Sequence, residues 1–132
     1  DFSNIQSENC AISNVTSKIT LYQSNDESGH SKFIQTNNPV EVASKSLNDF
    51  FKENRLESVN LLKLDCEGSE YEIIDSLEDK YFEMTEKMII EYHLADSNPE
   101  LLEKLKNKLK YHSYKISIEP LFKDIGFLYA KK

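Results

Sequence analysis

Leu61-Leu62-Lys63-Leu64-Asp65-Cys66-Glu67-Gly68-Ser69-Glu70-Tyr71-Glu72 starts apolar, becomes acidic and then turns at a glycine. Val59 to Leu64 is a short apolar run bounded by a turn signal, the pattern of a buried parallel strand. Lys63 interrupts the run, but its long stem reaches water from a strand end. Gly68 permits a tight turn. Ser69 predicts an N-cap, and Glu72 three residues on completes a capping box. Tyr71, Ile74 and Leu77 then recur at helical steps, so the spacing predicts strand, turn and helix. Asp65 and Glu67 fall at the carboxyl end of the strand, where open α/β sheets place their ligands.

Downstream, Glu86 to His93 reads as the next strand. Together these elements predict one β-α-β unit with a right-handed crossover. Glu91 and His93 then end a neighbouring parallel strand at the same sheet edge as Asp65 and Glu67. Four polar groups converge there. Adjacent carboxylates raise one another's pKa and an imidazole titrates near neutrality, which suits general acid–base chemistry. Three acids and one imidazole also suit Mg²⁺, Mn²⁺ or Fe²⁺. The plainer alternative is that the acids cap the next helix or pair with a lysine.

Ser97 or Asn98 caps a further helix with Pro99 in its first turn. Leu101, Leu102, Leu105 and Leu109 form its apolar stripe, and His112 is expected at the surface of its lysine-rich end. Tyr114, Ile116 and Ile118 alternate as a strand that Pro120 ends. Gly126 to Ala130 is the last strand, antiparallel to its predecessor across residues 119–125. The tyrosines read as packing residues.

Upstream, Asn9 to Ser13 and Lys18 to Gln23 predict short strands, the second with period-two alternation. Ser24 to Pro39 is polar and aperiodic, either a substrate lid or a solvated loop with His30 as a bystander. Val40 to Ser44 predicts a strand. Ser46 and Asp49 cap a helix whose Leu47, Phe50 and Phe51 share one face and which ends near Asn54.

The 132 residues suit one domain, and a net charge of −7 argues against nucleic-acid binding, which needs a basic face. No apolar run approaches the roughly 20 residues that span a bilayer, and no signal segment opens the chain. Cys10 and Cys66 are expected as reduced thiols in the cytoplasm. Three glycines leave no G-x-G-x-x-G loop. The chain starts at Asp1 without methionine, so a piece of something longer is expected.

Leu62 to Glu70 resembles the "K-I-D-V-E-G-A-E" segment of FkbM-type methyltransferases, with Cys66 and Ser69 as small substitutions. The resemblance extends over roughly residues 9–130. Ala11, Ser13 and Ile19 to Tyr22 match an "A-x-S, short turn, strand" segment. Leu47 to Phe51 matches "L-D-x-[LF]" with a shift, and Glu91-Tyr92-His93 matches "E-x-H". It implies a Rossmann-like class I methyltransferase sheet, incomplete, mostly parallel and with a C-terminal antiparallel hairpin. It implies S-adenosylmethionine as methyl donor in the complete domain, and O-methyl transfer to a hydroxyl of a sugar or other small metabolite. By carry-over Asp65 and Glu67 line the cleft, while Glu91 and His93 orient the acceptor or take its proton. Asp65 is the first candidate base and His93 the second. Cys10, Ala11 and Ile12 would lie near the adenine, with Asp65 and Gly68 completing the cofactor residues.

The family's first strand with its glycine-rich loop, and its second strand with an acidic ribose ligand, have no counterpart here. Residues 1–132 are therefore expected to be the C-terminal portion of a methyltransferase domain. Val59 to Leu64 would then be a sheet edge, covered either by Ile19–Gln23 folding back or by a second copy in a homodimer. Two other readings stay open, a divalent-metal-dependent α/β hydrolase and a non-catalytic dimerising remnant. A small-molecule acceptor is the expected partner, with neither nucleic acid nor membrane.

Overall fold

A computed structural model describes residues 3–23, 30–32 and 35–132. Much of the Ser24–Pro39 lid-or-loop stretch, residues 24–29 and 33–34, lies outside the described residues. The described residues are mixed α/β, with two four-stranded sheets and four helices.

The first sheet contains β1 (Ala11–Ser13), β2 (Ser17–Gln23), β3 (His30–Ser31) and β4 (Pro39–Ser46), in the order β1-β4-β2-β3. β4 leads directly into α1 (Leu47–Glu53). The expected cap is present: the Ser46 hydroxyl accepts from the Asp49 backbone N–H at 3.1 Å. Thr16 and Ser46 both donate to the Asp49 carboxylate, which holds it below the usual carboxylate range. This ties the β1–β2 turn to the helix start.

The second sheet carries the quoted stretch. β5 (Leu62–Asp65) pairs in parallel with β6 (Lys87–Tyr92), placing Asp65 opposite Glu91. Between them lie α2 (Glu70–Ser76) and α3 (Asp79–Met84). After β6 come α4 (Pro99–Tyr111), β7 (Lys115–Phe122) and β8 (Ile125–Lys131), giving the order β5-β6-β8-β7. Leu64, Met88, Ile90 and Leu128 bury one sheet face with Ile73 and Ile74 of α2, Phe82 of α3 and Leu109 of α4. Each such side chain contributes roughly 1.5–3 kcal/mol of burial.

Several expectations are corrected. Four of the six strand pairings among the described residues are antiparallel, so the sheets are not mostly parallel. The C-terminal hairpin is present as β7 and β8. The strand expected from Val59 begins only at Leu62; Leu61 is exposed, and Val59 makes a lone parallel bridge to Thr85. Ser69 is already helical at φ −79°, ψ −12°, so its side chain makes no cap and the capping box does not form. Glu72 pairs with Lys32 instead. Pro120 does not end its strand. β7 is an edge and runs on through an irregularity between Pro120 and Phe122, where a missing N–H is tolerated. The His112 ring is not a surface group but stacks on Phe82, with centroids 4.0 Å apart. Ile19–Gln23 does not cover β5, because β2 pairs with β4 and β3.

Candidate active site

Glu67 and Gly68 form the corner between β5 and α2. Both have positive φ, 50° and 103°, and Ser69 N–H donates to the Cys66 carbonyl at 3.0 Å. Two left-handed central residues define a type I′ turn. Gly68 takes this conformation freely, whereas Glu67 carries strain, a feature that clusters at functional sites. The turn aims the chain from the strand end into the helix.

Glu70, the first residue of α2, is fully buried. Its Oε2 accepts from Gly68 N–H at 2.9 Å. Its Oε1 accepts from His93 backbone N–H at 2.8 Å and lies 2.9 Å from His93 Nδ1. The neighbouring Tyr71 hydroxyl donates to the His93 carbonyl. Consecutive residues of α2 thus hold both faces of the His93 backbone, just past the end of β6.

The His93 ring, 9 % exposed, turns its other nitrogen toward Glu67 and Glu91. Nε2 is 3.7 Å from Glu67 Oε2 and 4.0 Å from Glu91 Oε1. Asp65, Glu67 and His93 bring one nitrogen or oxygen each within 4.8 Å of one another, close enough to share a proton, an acceptor hydroxyl or a cation. Burial alone pushes the His93 imidazole pKa down. The hydrogen bond and charge of Glu70, with the charges of Glu67 and Glu91, outweigh burial and raise it above its ordinary value. Asp65 is the exposed member, paired with Lys63 at 3.1 Å. Cys66 lies between them as an inert thiol, its pKa pushed up to about 11 by burial.

All four expected catalytic positions, Asp65, Glu67, Glu91 and His93, therefore meet at one sheet edge. The sequence does not reveal the contact of Glu70 with this cluster, because an acid in the first turn of a helix suits the helix dipole wherever its side chain goes. The five expected cofactor positions divide. Cys10 and Ile12 line a cavity of about 610 Å³ with Leu47, Phe50 and Leu62–Leu64, along the flank of β5 with which no described strand pairs. Ala11 sits between them, in register with Ser44 of β4. Asp65 and Gly68 stand at the end of β5, outside that cavity. The cavity has the size of a small-ligand pocket, with Ile12, Leu47, Phe50, Leu62 and Leu64 as apolar lining and Gln6, Ser7, Glu8, Asn54 and Lys63 as polar lining. A second cavity of about 550 Å³ runs between α2 and α4 from Gly68 and Leu94.

Fold and site together describe an α/β protein with a cluster of three acids and a histidine at the carboxyl ends of two parallel strands. The sequence model described as "Methyltransferase FkbM domain" matches residues 2–116, and the chain belongs to this family. A curated relative, "Methyltransferase 1" of Beauveria bassiana (strain ARSEF 2860), is 37 % identical over 67 residues. That match covers 50 % of this chain and 26 % of the relative, so the chain spans about a quarter of the relative's length. No solved structure matches. The comparisons do not favour the metal-hydrolase alternative.

Among the described residues no helix is long and apolar enough to cross a membrane.

Proposed function

We propose that the chain is the acceptor-side, C-terminal portion of an S-adenosylmethionine-dependent O-methyltransferase domain. The observation that carries the reading is the convergence of Asp65, Glu67, Glu91 and His93 at the carboxyl ends of β5 and β6. The parallel β5-α2-β6 unit supports a Rossmann-like class I sheet, of which these strands would be the part nearest the acceptor. S-adenosylmethionine, when bound, supplies a methyl group on a positively charged sulfur. Cys10, Ala11 and Ile12 would hold its apolar part, and Asp65 and Gly68 its polar end.

His93 Nε2 accepts the hydroxyl proton of the acceptor as the oxygen becomes nucleophilic. Glu91 and Glu67 accept hydrogen bonds from neighbouring hydroxyls and hold the acceptor in line, since methyl transfer depends mainly on positioning. Three carboxylates around the crevice favour a neutral polyhydroxyl acceptor, such as a sugar, over an anionic one. The rest of the acceptor extends toward the cavity between α2 and α4. This reading makes His93 the first candidate base in place of Asp65, because Asp65 is exposed and tied to Lys63. It places the protein in the cytoplasm, where the free thiols of Cys10 and Cys66 stay reduced. It also includes a homodimer through the free edge of β5, and no nucleic-acid or membrane partner.

Transfer of a labelled methyl group from S-adenosylmethionine to a panel of neutral glycosides, sugar phosphates and sugar acids tests the reading. Methylation of neutral acceptors, lost in His93→Asn, is expected. Equal activity in His93→Asn, or preference for the anionic acceptors, would overturn it.

A further inference from the structure

We infer that Glu70 is a positioning residue that fixes which ring nitrogen of His93 faces the acceptor; the inference rests on the base role of His93 proposed above. Two backbone N–H groups, of Gly68 and of His93, donate one to each of its oxygens, and His93 Nδ1 lies 2.9 Å from Oε1. Both oxygens are thus acceptors. A carboxylate has no proton to offer and can only accept from Nδ1 as well, while a neutral amide must turn its NH₂ toward one of these nitrogens. The proton of neutral His93 is therefore held at Nδ1, and the lone pair of Nε2 opens into the crevice.

The placement is unusual for a helix start. An acid in the first turn normally faces water, yet Glu70 is wholly enclosed, and its partner is 23 residues away. A buried carboxylate without such donors would be costly. With them it couples two things the chemistry needs, the shape of the Glu67–Gly68 turn and the rotamer of His93. The other groups facing the ring are Glu67 from the turn, Glu91 from β6 and Asp65 from the end of β5. Tyr71 holds the His93 carbonyl but not the ring. None of these contacts Nδ1, and Glu67 and Glu91 stand 3.7 and 4.0 Å from Nε2, beyond hydrogen-bond reach, so the 2.9 Å contact of Glu70 is the one that favours a proton at Nδ1 among the described residues.

The test is nitrogen NMR of the full chain labelled at histidine, with the His93 signals assigned by their loss in His93→Asn. The wild type is expected to show neutral His93 protonated at Nδ1. In Glu70→Gln that preference is expected to weaken and the His93 titration midpoint to fall. Methyl transfer should lose about 10²-fold or more in kcat with KM little changed. Glu70→Asp, which keeps the charge, should restore part of the tautomer preference. A wild-type His93 protonated at Nε2 overturns the inference without any variant. So does a folded Glu70→Gln whose tautomer and midpoint match the wild type. If the tautomer shifts as expected while His93→Asn still methylates, Glu70 positions the ring but the base role of His93 fails, so the two failures are told apart.

Discussion

Two opposing influences meet at His93. Burial disfavours its charged form, and the hydrogen bond and charges of Glu70, Glu67 and Glu91 favour it; the second set prevails and the pKa is raised. A raised histidine contributes stability that is full below its unfolded value of about 6.5 and lost as pH rises through the folded value. A base must be neutral, so activity runs the opposite way. The rate of methyl transfer is expected to climb with pH through that raised value, while the melting temperature loses the His93 contribution over the same interval. A rate that falls over that interval contradicts the assignment. Glu67 offers a second residue-scale outcome. Its φ of 50° costs a carboxylate side chain more than it would cost asparagine. Glu67→Asn is expected to raise stability by about 0.5–1 kcal/mol while weakening acceptor binding, as read by urea melts and KM. The sequence exposed Asp65, Glu67, Glu91 and His93 because strand ends and period-two spacing are local signals. It concealed Glu70, because the burial of that residue depends on a distant histidine.

Elements were legible where one pattern sufficed. The Ser46–Asp49 cap and the leucine stripe of α4 each lie within a few residues, and both are found. α3 was not seen, since six residues carry less than two turns of periodicity. The continuation of β7 through Pro120 depends on its edge position, which the local sequence does not reveal. β8 contains a position whose requirement is equally non-local. Gly126 is in register with Tyr92, and a Cβ there would lie 2.3 Å from the Tyr92 hydroxyl oxygen and 2.6 Å from the Glu119 carbonyl. A hydroxyl can shift but that carbonyl belongs to the paired strand. Gly126→Ala is expected to cost about 1–3 kcal/mol, seen as a lower urea midpoint at unchanged slope. An unchanged midpoint would mean that the β7–β8 hairpin yields freely. The same hairpin reaches toward the site: Asp124, in its turn, accepts from Asp96 and Ser97 N–H at 2.8 and 2.7 Å, fixing the chain just after His93.

Over the whole molecule, β5 carries both the site and an edge of the second sheet. One flank pairs with β6, and the other opens on the cavity lined by Cys10 and Ile12. No described strand pairs with that flank. Such edges invite pairing with another chain. Sedimentation over a concentration series is expected to show a dimer that weakens when Leu62→Pro blocks edge pairing and when S-adenosylmethionine fills the cavity on the same flank; a monomer at every concentration contradicts it. Two separate sheets, rather than one, lay beyond the sequence, because strand order depends on which edges meet and not on the pattern within each strand. The most direct measurement is calorimetric titration of the folded chain, at known oligomeric state, with S-adenosylmethionine and with its demethylated product. Saturable micromolar binding of both, weakened by Ile12→Asp in the cavity and by Asp65→Asn at the strand end, is the predicted result. No binding by a chain whose fold is intact would contradict the claim that these residues hold a methyl donor.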